Sequence, residues 1–392
     1  PTSKIEKNAR DKLRGLLTGK MFGKKETDIY QASQWQMIWM NFRKHKLALV
    51  SMWMIFIIYF FGIFCEILSP YDPKNFDSER LRMPPQRLRF IAKDGIHLRP
   101  FVYGYTKARD PYTLKELYTV DKNRIFPIRF FVRGDKYVFW GLFKTDIHFF
   151  NVDKENKEYI HLLGTDDMGR DVLSRIIYGT RISTSIGFFG VLLSFIFGVI
   201  IGGCSGYFGG LTDSIIQRVM EVIRSIPQIP LWMGLSAAIP ANWPPLWVYF
   251  SLTIIISFVS WTDLARSVRS KFLSLREEDF VLAAKLSGAS ELRIIMKHMV
   301  PSFFSHIIAT LTLAIPAMII GETSLSFLGI GLRPPVISWG VLLMEAQNIR
   351  SVAISPWMLF PGLAVVVTVL VFNFLGDGLR DAADPYGYRG KR

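Results

Sequence analysis

The sequence has little of what metal, redox or covalent chemistry requires. It holds only two cysteines, Cys65 and Cys204, far apart and each inside an apolar stretch. Two such thiols exclude a disulfide framework and are read as buried and free. The six histidines, His298 and His306 among them, show no metal-ligand spacing and are expected at packing or interfacial positions. No G-x4-G-K-[S/T] phosphate loop occurs, and "GKMFGKK" (Gly19–Lys25) has the wrong spacing for one. "TDDMGRD" (Thr165–Asp171) lacks the ligand spacing and the closing Glu of a calcium loop. It is read as a turn into an amphipathic helix carrying Val172, Leu173, Ile176 and Ile177. No catalytic and no metal-ligating residue is expected on this chain.

Acidic residues are scarce too, 32 against 47 basic, for a formal charge of +15. That excess invites a nucleic-acid reading, but its placement argues against one. Half of the chain is hydrophobic, with 31 Phe and 10 Trp gathered into runs. A membrane span needs roughly 20 mostly apolar residues. Leu47–Leu68 qualifies with only Glu66 charged near its end. Ser185–Phe208, Val219–Ile239, Leu246–Trp261, Phe303–Gly321 and Pro356–Gly376 bring the expected count to six. Eleven Lys and Arg residues from Lys4 to Lys46 place the N-terminal side in the cytoplasm and disfavour a cleaved signal peptide. Six crossings return the tail, with Arg380, Arg389, Lys391 and Arg392, to that side. The connection Pro240–Pro245, without Lys or Arg, then faces out.

The expected fold is therefore an all-α polytopic membrane protein with a small β-containing insertion. Residues 1–46 form a basic cytoplasmic tail. Within it Trp35, Ile38, Trp39 and Phe42 line one helical face, either an interfacial helix or an extension of the first span. Residues 47–69 form that first span, and "SPYDP" (Ser69–Pro73) ends it. Residues 70–160 form an extracytoplasmic module, strand-like at "RLRFI" (Arg87–Ile91), "IRFFV" (Ile128–Val132) and "KYVFWGLF" (Lys136–Phe143), with "RGD" (Arg133–Asp135) as a hairpin turn. Residues 161–182 form an amphipathic lead-in, 183–377 the membrane core and 378–392 a cytoplasmic tail. Gly198, Gly202 and Gly206 let helices approach closely, and "SIPQIP" (Ser225–Pro230) and Pro316 put helix breakers inside two spans.

Ser274–Pro301, "SLREEDFVLAAKLSGASELRIIMKHMVP", is built like a soluble helical hairpin between two apolar runs. Ser274 and Glu277 have capping-box spacing, and Glu278 and Asp279 would sit at the positive end of the helix dipole. Gly288 stops that helix. Ser290 can cap a second one, ended by Pro301. Small alanines on a charged helix leave room for another surface, so a docking element is expected.

This segment resembles the coupling loop of ABC importer permeases, with pattern E-A-A-x3-G-x9-I-x-L-P. Ala283, Ala284, Gly288 and Pro301 fall in register, while Leu282, His298 and Val300 depart from it. "FRKHKLALV" with "LSPYDP", "LLGTDDMGRDVLSRIIYGTRIS" (Leu162–Ser183), "GETSLSFLGIGLRPPVISWG" (Gly321–Gly340) and "GDGLRDAADP" (Gly376–Pro385) are similar to one branch, the C-type permeases of dipeptide and oligopeptide importers. The likeness covers 42–73 and 162–385. It implies a coupling loop at 263–301, with Glu278, Asp279, Ala283, Ala284, Gly288, Ala289 and Pro301 at the ATPase contact. It also implies a second homologous permease, two ABC ATPase subunits that bind ATP and Mg, and an extracytoplasmic solute-binding protein, all at a bacterial inner membrane. No cofactor is expected on this chain, and "KLSGAS" (Lys285–Ser290), though like an ATPase signature, stands without a phosphate loop. Membrane lipid is an expected partner and nucleic acid is not. Glu322, the only acidic residue between Glu291 and Glu345, is a candidate for the pathway. An ion-coupled secondary transporter and a membrane-anchored receptor or scaffold are the alternatives.

Overall fold

The computed structural model describes residues 34–92, 95–109, 111, 116–153, 158–240 and 242–383. The basic residues before Gln34, the Trp35 side chain, "GKMFGKK", and the tail from Asp384 through Arg389, Lys391 and Arg392 lie outside the described residues.

Helices α1 (Gln34–Phe42) and α2 (Lys46–Ile63) are separate, because the chain turns through Arg43–His45, where the His45 amide donates to the Phe42 carbonyl. α1 thus does not extend the first span. Its Phe42 is buried, and Ile38 packs with it against Leu375, Leu379 and Ala382 of the last helix, leaving Trp39 exposed. α2 is apolar all round and exposes Trp53, Phe56, Ile57 and Phe60, as a helix surrounded by lipid does. A single turn, α3 (Cys65–Leu68), leads out.

Strands β1 (Arg89–Ala92), β2 (Gly95–Arg109) and β3 (Glu116–Pro127) form an antiparallel sheet in that order, and β4 (Arg129–Phe139) pairs with β5 (Phe143–Asn151). Met83, Val102, Phe126, Ile128, Val152 and Ile160 fill the core between them. The expected turn at Arg133–Asp135 is not a turn. Those residues lie inside β4 where its register with β5 shifts, and the chain reverses at Trp140–Leu142. The reason is local packing: Gly134 passes over the buried His148 ring, which a Cβ there would approach to 2.5 Å. His148 in turn holds its Nδ1 2.5 Å from the Ser69 carbonyl oxygen.

Helix α4 (Val172–Phe208) runs unbroken through the second apolar run, so residues 172–182 of the expected lead-in are the first part of a 37-residue helix, while 161–171 form a loop before it. The Asp171 carboxylate caps it, accepting from the Ser174 amide at 2.7 Å. α5 (Gly210–Ser225) and α6 (Gln228–Ala237) follow, then α7 (Pro245–Leu275), α8 (Asp279–Leu286), α9 (Phe304–Phe327), α10 (Trp339–Glu345), α11 (Ile349–Ile354) and α12 (Phe360–Ala383). Among the described residues five helices are long and apolar enough to cross a membrane: α2, α4, α7, α9 and Pro356–Ala383. The expected span Val219–Ile239 is two helices, broken at Ile226–Pro227, where the proline disfavours helical backbone at the residue before it. Its halves nevertheless follow α7 along its length. Arg269 pairs with Asp213, Arg224 with Asp263, Met220 packs on Trp261 and Ala265, and Trp232 packs with Ile256. Pro316, by contrast, sits inside α9 without ending it.

Glycines set the close helix pairs. A Cβ on Gly198 would lie 2.8 Å from Leu264 Cδ2, and one on Gly202 2.8 Å from Ala265 Cα, so α4 and α7 touch nearly backbone to backbone. Gly376 of α12 stands equally close to Leu313 of α9.

Candidate functional site

The expected docking loop begins later than its sequence suggests. Ser274 does not cap α8. It lies in the last turn of α7, and its hydroxyl donates back to the Ser270 carbonyl at 3.4 Å. α7 continues that far because Phe272, fully buried, must reach the base of α4 and the Phe303 ring. The cap of α8 is Glu278, through its backbone carbonyl, which accepts from Val281 and Leu282 at 3.0 and 3.1 Å; Asp279 opens the first turn, exposed. Gly288 ends α8 as its pattern predicts. At φ +74° it directs its amide to the Lys285 carbonyl and the Ala289 amide to the Ala284 carbonyl, a two-bond helix stop.

Beyond it the second helix is irregular. Ser290 caps Glu291–Arg293 through its carbonyl alone, Ile294–Met299 widens to a π-helical turn, and Pro301 opens a further turn, Val300–Ser302. Pro301 therefore does not end the hairpin, since a proline at the start of a helical turn has no donor to lose. The break falls at Phe303.

These elements sort the loop's side chains. Val281 is fully buried and joins Phe272, Ile294, Met299 and Phe303 in one cluster, with Ala284 and Ala289 half-buried against it. Of the expected contact residues, Glu278, Asp279, Ala283, Gly288 and Pro301 face outward, while Ala284 and Ala289 serve the loop's own packing. The sequence reading missed the most exposed apolar groups. Leu286 is 90 % exposed and Leu292 71 %, and Phe280, Leu282 and Met296 are exposed as well. Their signal was present: a solvated helix of eight residues needs one apolar face, and α8 has Val281 and Ala284 on one face and Leu282 and Leu286 on another. The loop is fastened to the bundle by Lys285, whose ammonium lies 5.0 Å over the Tyr207 ring of α4.

At the other end of the bundle, Glu322 is fully buried between α4, α9 and α10. Its carboxylate accepts from Ser338 at 2.7 Å, Ser326 at 2.8 Å and Ser183 at 3.1 Å. Each serine also accepts a backbone N–H, from Val341, Leu332 and Trp339 respectively. Glu322 thus ties a helix cap, a loop and two helices together, and it faces no open cavity of this chain. The 162–171 loop forms a second ion-pair cluster, buried at Asp166 and Arg175. Arg175 on α4 bridges Asp166 at 2.6 Å and Glu345 of α10 at 2.5 Å, while Arg170 reaches the same two carboxylates at 2.7 and 2.9 Å. The acidic residues of "TDDMGRD" that resembled cation ligands are therefore engaged: Asp166 by arginines, Asp171 by Ser174 and by His161 at 2.9 Å.

A glycine-packed bundle of helices long and apolar enough to cross a membrane defines an integral membrane protein. Residues 194–386 match the family of binding-protein-dependent transport system inner membrane components, and residues 33–85 match the N-terminal transmembrane domain of oligopeptide transport permease C. The dipeptide transport system permease protein DppC of Alkalihalophilus pseudofirmus is 40% identical over 227 residues, 57% of this chain and 72% of that one. The oligopeptide transport system permease protein OppC of Bacillus subtilis is 37% identical over 226 residues, with the same coverage, 57% and 72%. DppC of Lactococcus lactis is 32% identical over 359 residues, 90% of this chain and 91% of that one, which is too long a match to leave the β module outside it. The chain belongs to this family of dipeptide and oligopeptide transport permeases, and it is a transport subunit of the ABC importer class.

Proposed function

We propose that this chain forms one half of a peptide-conducting pathway in the inner membrane, with a homologous permease as the other half. Two ABC ATPases, which bind ATP and Mg, dock on the α8 loops, and an extracytoplasmic binding protein delivers the solute. The observation that carries this reading is the α8 loop itself: Leu286 and Leu292 stand out from a loop whose Val281 is sunk in the base of the bundle. A push on the exposed leucines is delivered through Val281 and Phe272 to α7 and α4. In this reading α5 and α6 together make the sixth crossing, a broken helix alongside α7. The loop and both termini then face the cytoplasm and residues 70–160 face out, in accord with the basic residues near α1.

Purification from native membranes in mild detergent tests the assembly. A second permease and ATPase chains should copurify, with ATP hydrolysis stimulated by the binding protein loaded with peptide. Recovery of the chain alone and inactive removes the reading. Within the complex, Gly288→Val places a branched side chain at φ +74° and should break the helix stop while leaving the chain in the membrane. Peptide uptake should fall with it, and unchanged uptake excludes α8 as the coupling element.

A further inference from the structure

The β4–β5 hairpin extends beyond the core of the outer module, and its tip is apolar. Leu142 is 74 % exposed and Phe143 66 %, with Trp140 and Val138 about half exposed. A solvated loop has no use for four such residues in six positions. The tip is also fixed in place. The Trp140 indole donates to the Ile63 carbonyl at 3.0 Å, the Phe139 ring stacks on Phe64 at 6.1 Å, and the Arg181 guanidinium lies 4.3 Å from the Trp140 ring centre. Arg181 itself donates to the Glu66 carboxylate at 2.6 Å and to the Gly62 and Ile63 carbonyls, each at 2.9 Å. The hairpin tip is therefore pinned to the final turn of α2, not to the outer part of the module.

That position has a depth. From Lys46 to Ile63 a helix rises about 26 Å, close to the ~30 Å hydrocarbon thickness of a bilayer. Ile63, and with it Trp140 and Leu142, then lies at the hydrocarbon–headgroup boundary. The tip is continuous with the lipid-facing side of α2, since the Phe60 ring is 4.8 Å from Phe64, which carries Phe139. Just behind it Lys136 and Lys144 are exposed. Aromatic and aliphatic groups in front with lysines behind is the order of a membrane interface, the lysines reaching headgroup phosphates.

From this we infer that the β4–β5 hairpin is a lipid anchor: its Trp140–Phe143 tip inserts into the leaflet at the Ile63 end of α2 and holds the β module over the mouth of the bundle. The inference depends only on α2 crossing the bilayer, so it stands or falls apart from the coupling reading. Spin labels at Leu142→Cys and Phe143→Cys test it in the full complex reconstituted in nanodiscs, with the unsubstituted chain as blank for Cys65 and Cys204. Phe131→Cys is the control, since Phe131 is 70 % exposed on the same hairpin. It lies roughly 25 Å farther along the strand from the tip. The ratio of oxygen to nickel-chelate accessibility should be several-fold higher at 142 and 143 than at 131. Equal ratios overturn the anchor. Protection from both reagents at 142 also overturns it, because it shows that a protein surface, and not lipid, covers the tip.

Discussion

Gly206 of α4 lies so close to α7 that a Cβ on it would stand 2.6 Å from the Cβ of Phe272 and 2.7 Å from the Arg269 carbonyl oxygen. Phe272 belongs to the same buried cluster as Val281, so the two helices and the exposed α8 loop meet at one side chain. In the proposed function, that contact lets the loop act as a lever on α4 and α7. The glycine removes the side chain that would hold the helices apart, and the phenylalanine fills the space beneath the loop.

Gly206→Ala should therefore destabilise the protein by about 1–3 kcal/mol as the helices are forced apart. Gly203→Ala is the matched control, because its Cβ would meet the Phe272 ring at 3.5 Å, an ordinary contact. Thermal unfolding in detergent should show a lowered midpoint for the first and little change for the second. Equal midpoints contradict the close approach.

Arg175 holds Asp166 in the interior and Glu345 at its edge, and Arg170 bonds the same two carboxylates, so Arg175→Ala removes one of their two counter-charges. A loss of ~1.5–3 kcal/mol is expected from removing charged hydrogen bonds. Adding Asp166→Asn, which leaves Arg170 its bond to Glu345, should restore part of it in thermal unfolding. A double variant no more stable than the single one would show that the arginine acts through its packing alone.

Glu322 accepts three serine hydroxyls, and a glutamine in its place offers one acceptor oxygen and a competing NH2. Glu322→Gln should cost ~1–3 kcal/mol, since at least one buried hydroxyl loses its acceptor. Peptide preference should be unchanged, because the group faces no cavity. Altered preference at full stability, measured by competition among peptides for uptake, would restore it as a pathway residue.

Arg269 of α7 holds Asp213 of α5 with two hydrogen bonds, at 2.5 and 2.6 Å. Asp213→Asn leaves the guanidinium with a neutral partner, so the unfolding midpoint in detergent should fall, by no more than the ~1.5–3 kcal/mol of a charged hydrogen bond. An unchanged midpoint would show that the pair does not hold α5 against α7.

Much of this was legible in the residues. Long apolar runs fix α2, α4, α7, α9 and the last span because hydropathy over some 20 residues leaves few alternatives. The glycines four apart point to the α4–α7 seam, and Gly288 to the end of α8. What misled was local chemistry that tertiary packing overrode. Ser274 and Glu277 have capping-box spacing, but burying Phe272 carries α7 past them. Arg133–Asp135 has turn composition, but Gly134 is needed where β4 crosses the His148 ring. The run Val219–Ile239 is apolar enough to span, yet Pro227 splits it. Three serines around Glu322 come from three segments of the chain, and no spacing rule unites them. The exposed leucines of α8 were visible as residues but not as a face, since a helix of eight residues does not declare which side it turns to the bundle.

In the proposed function, force enters through the α8 loop. Its most direct test is uptake of labelled peptide by proteoliposomes holding the purified complex with Leu286→Glu and Leu292→Glu in this chain. Both side chains are largely exposed and neither belongs to the buried cluster beneath the loop, so the fold should be kept. The double variant should still assemble in the membrane at normal abundance while ATP-driven uptake is lost and ATPase subunits wash away. Uptake at the unsubstituted rate would contradict it and leave the loop without its role.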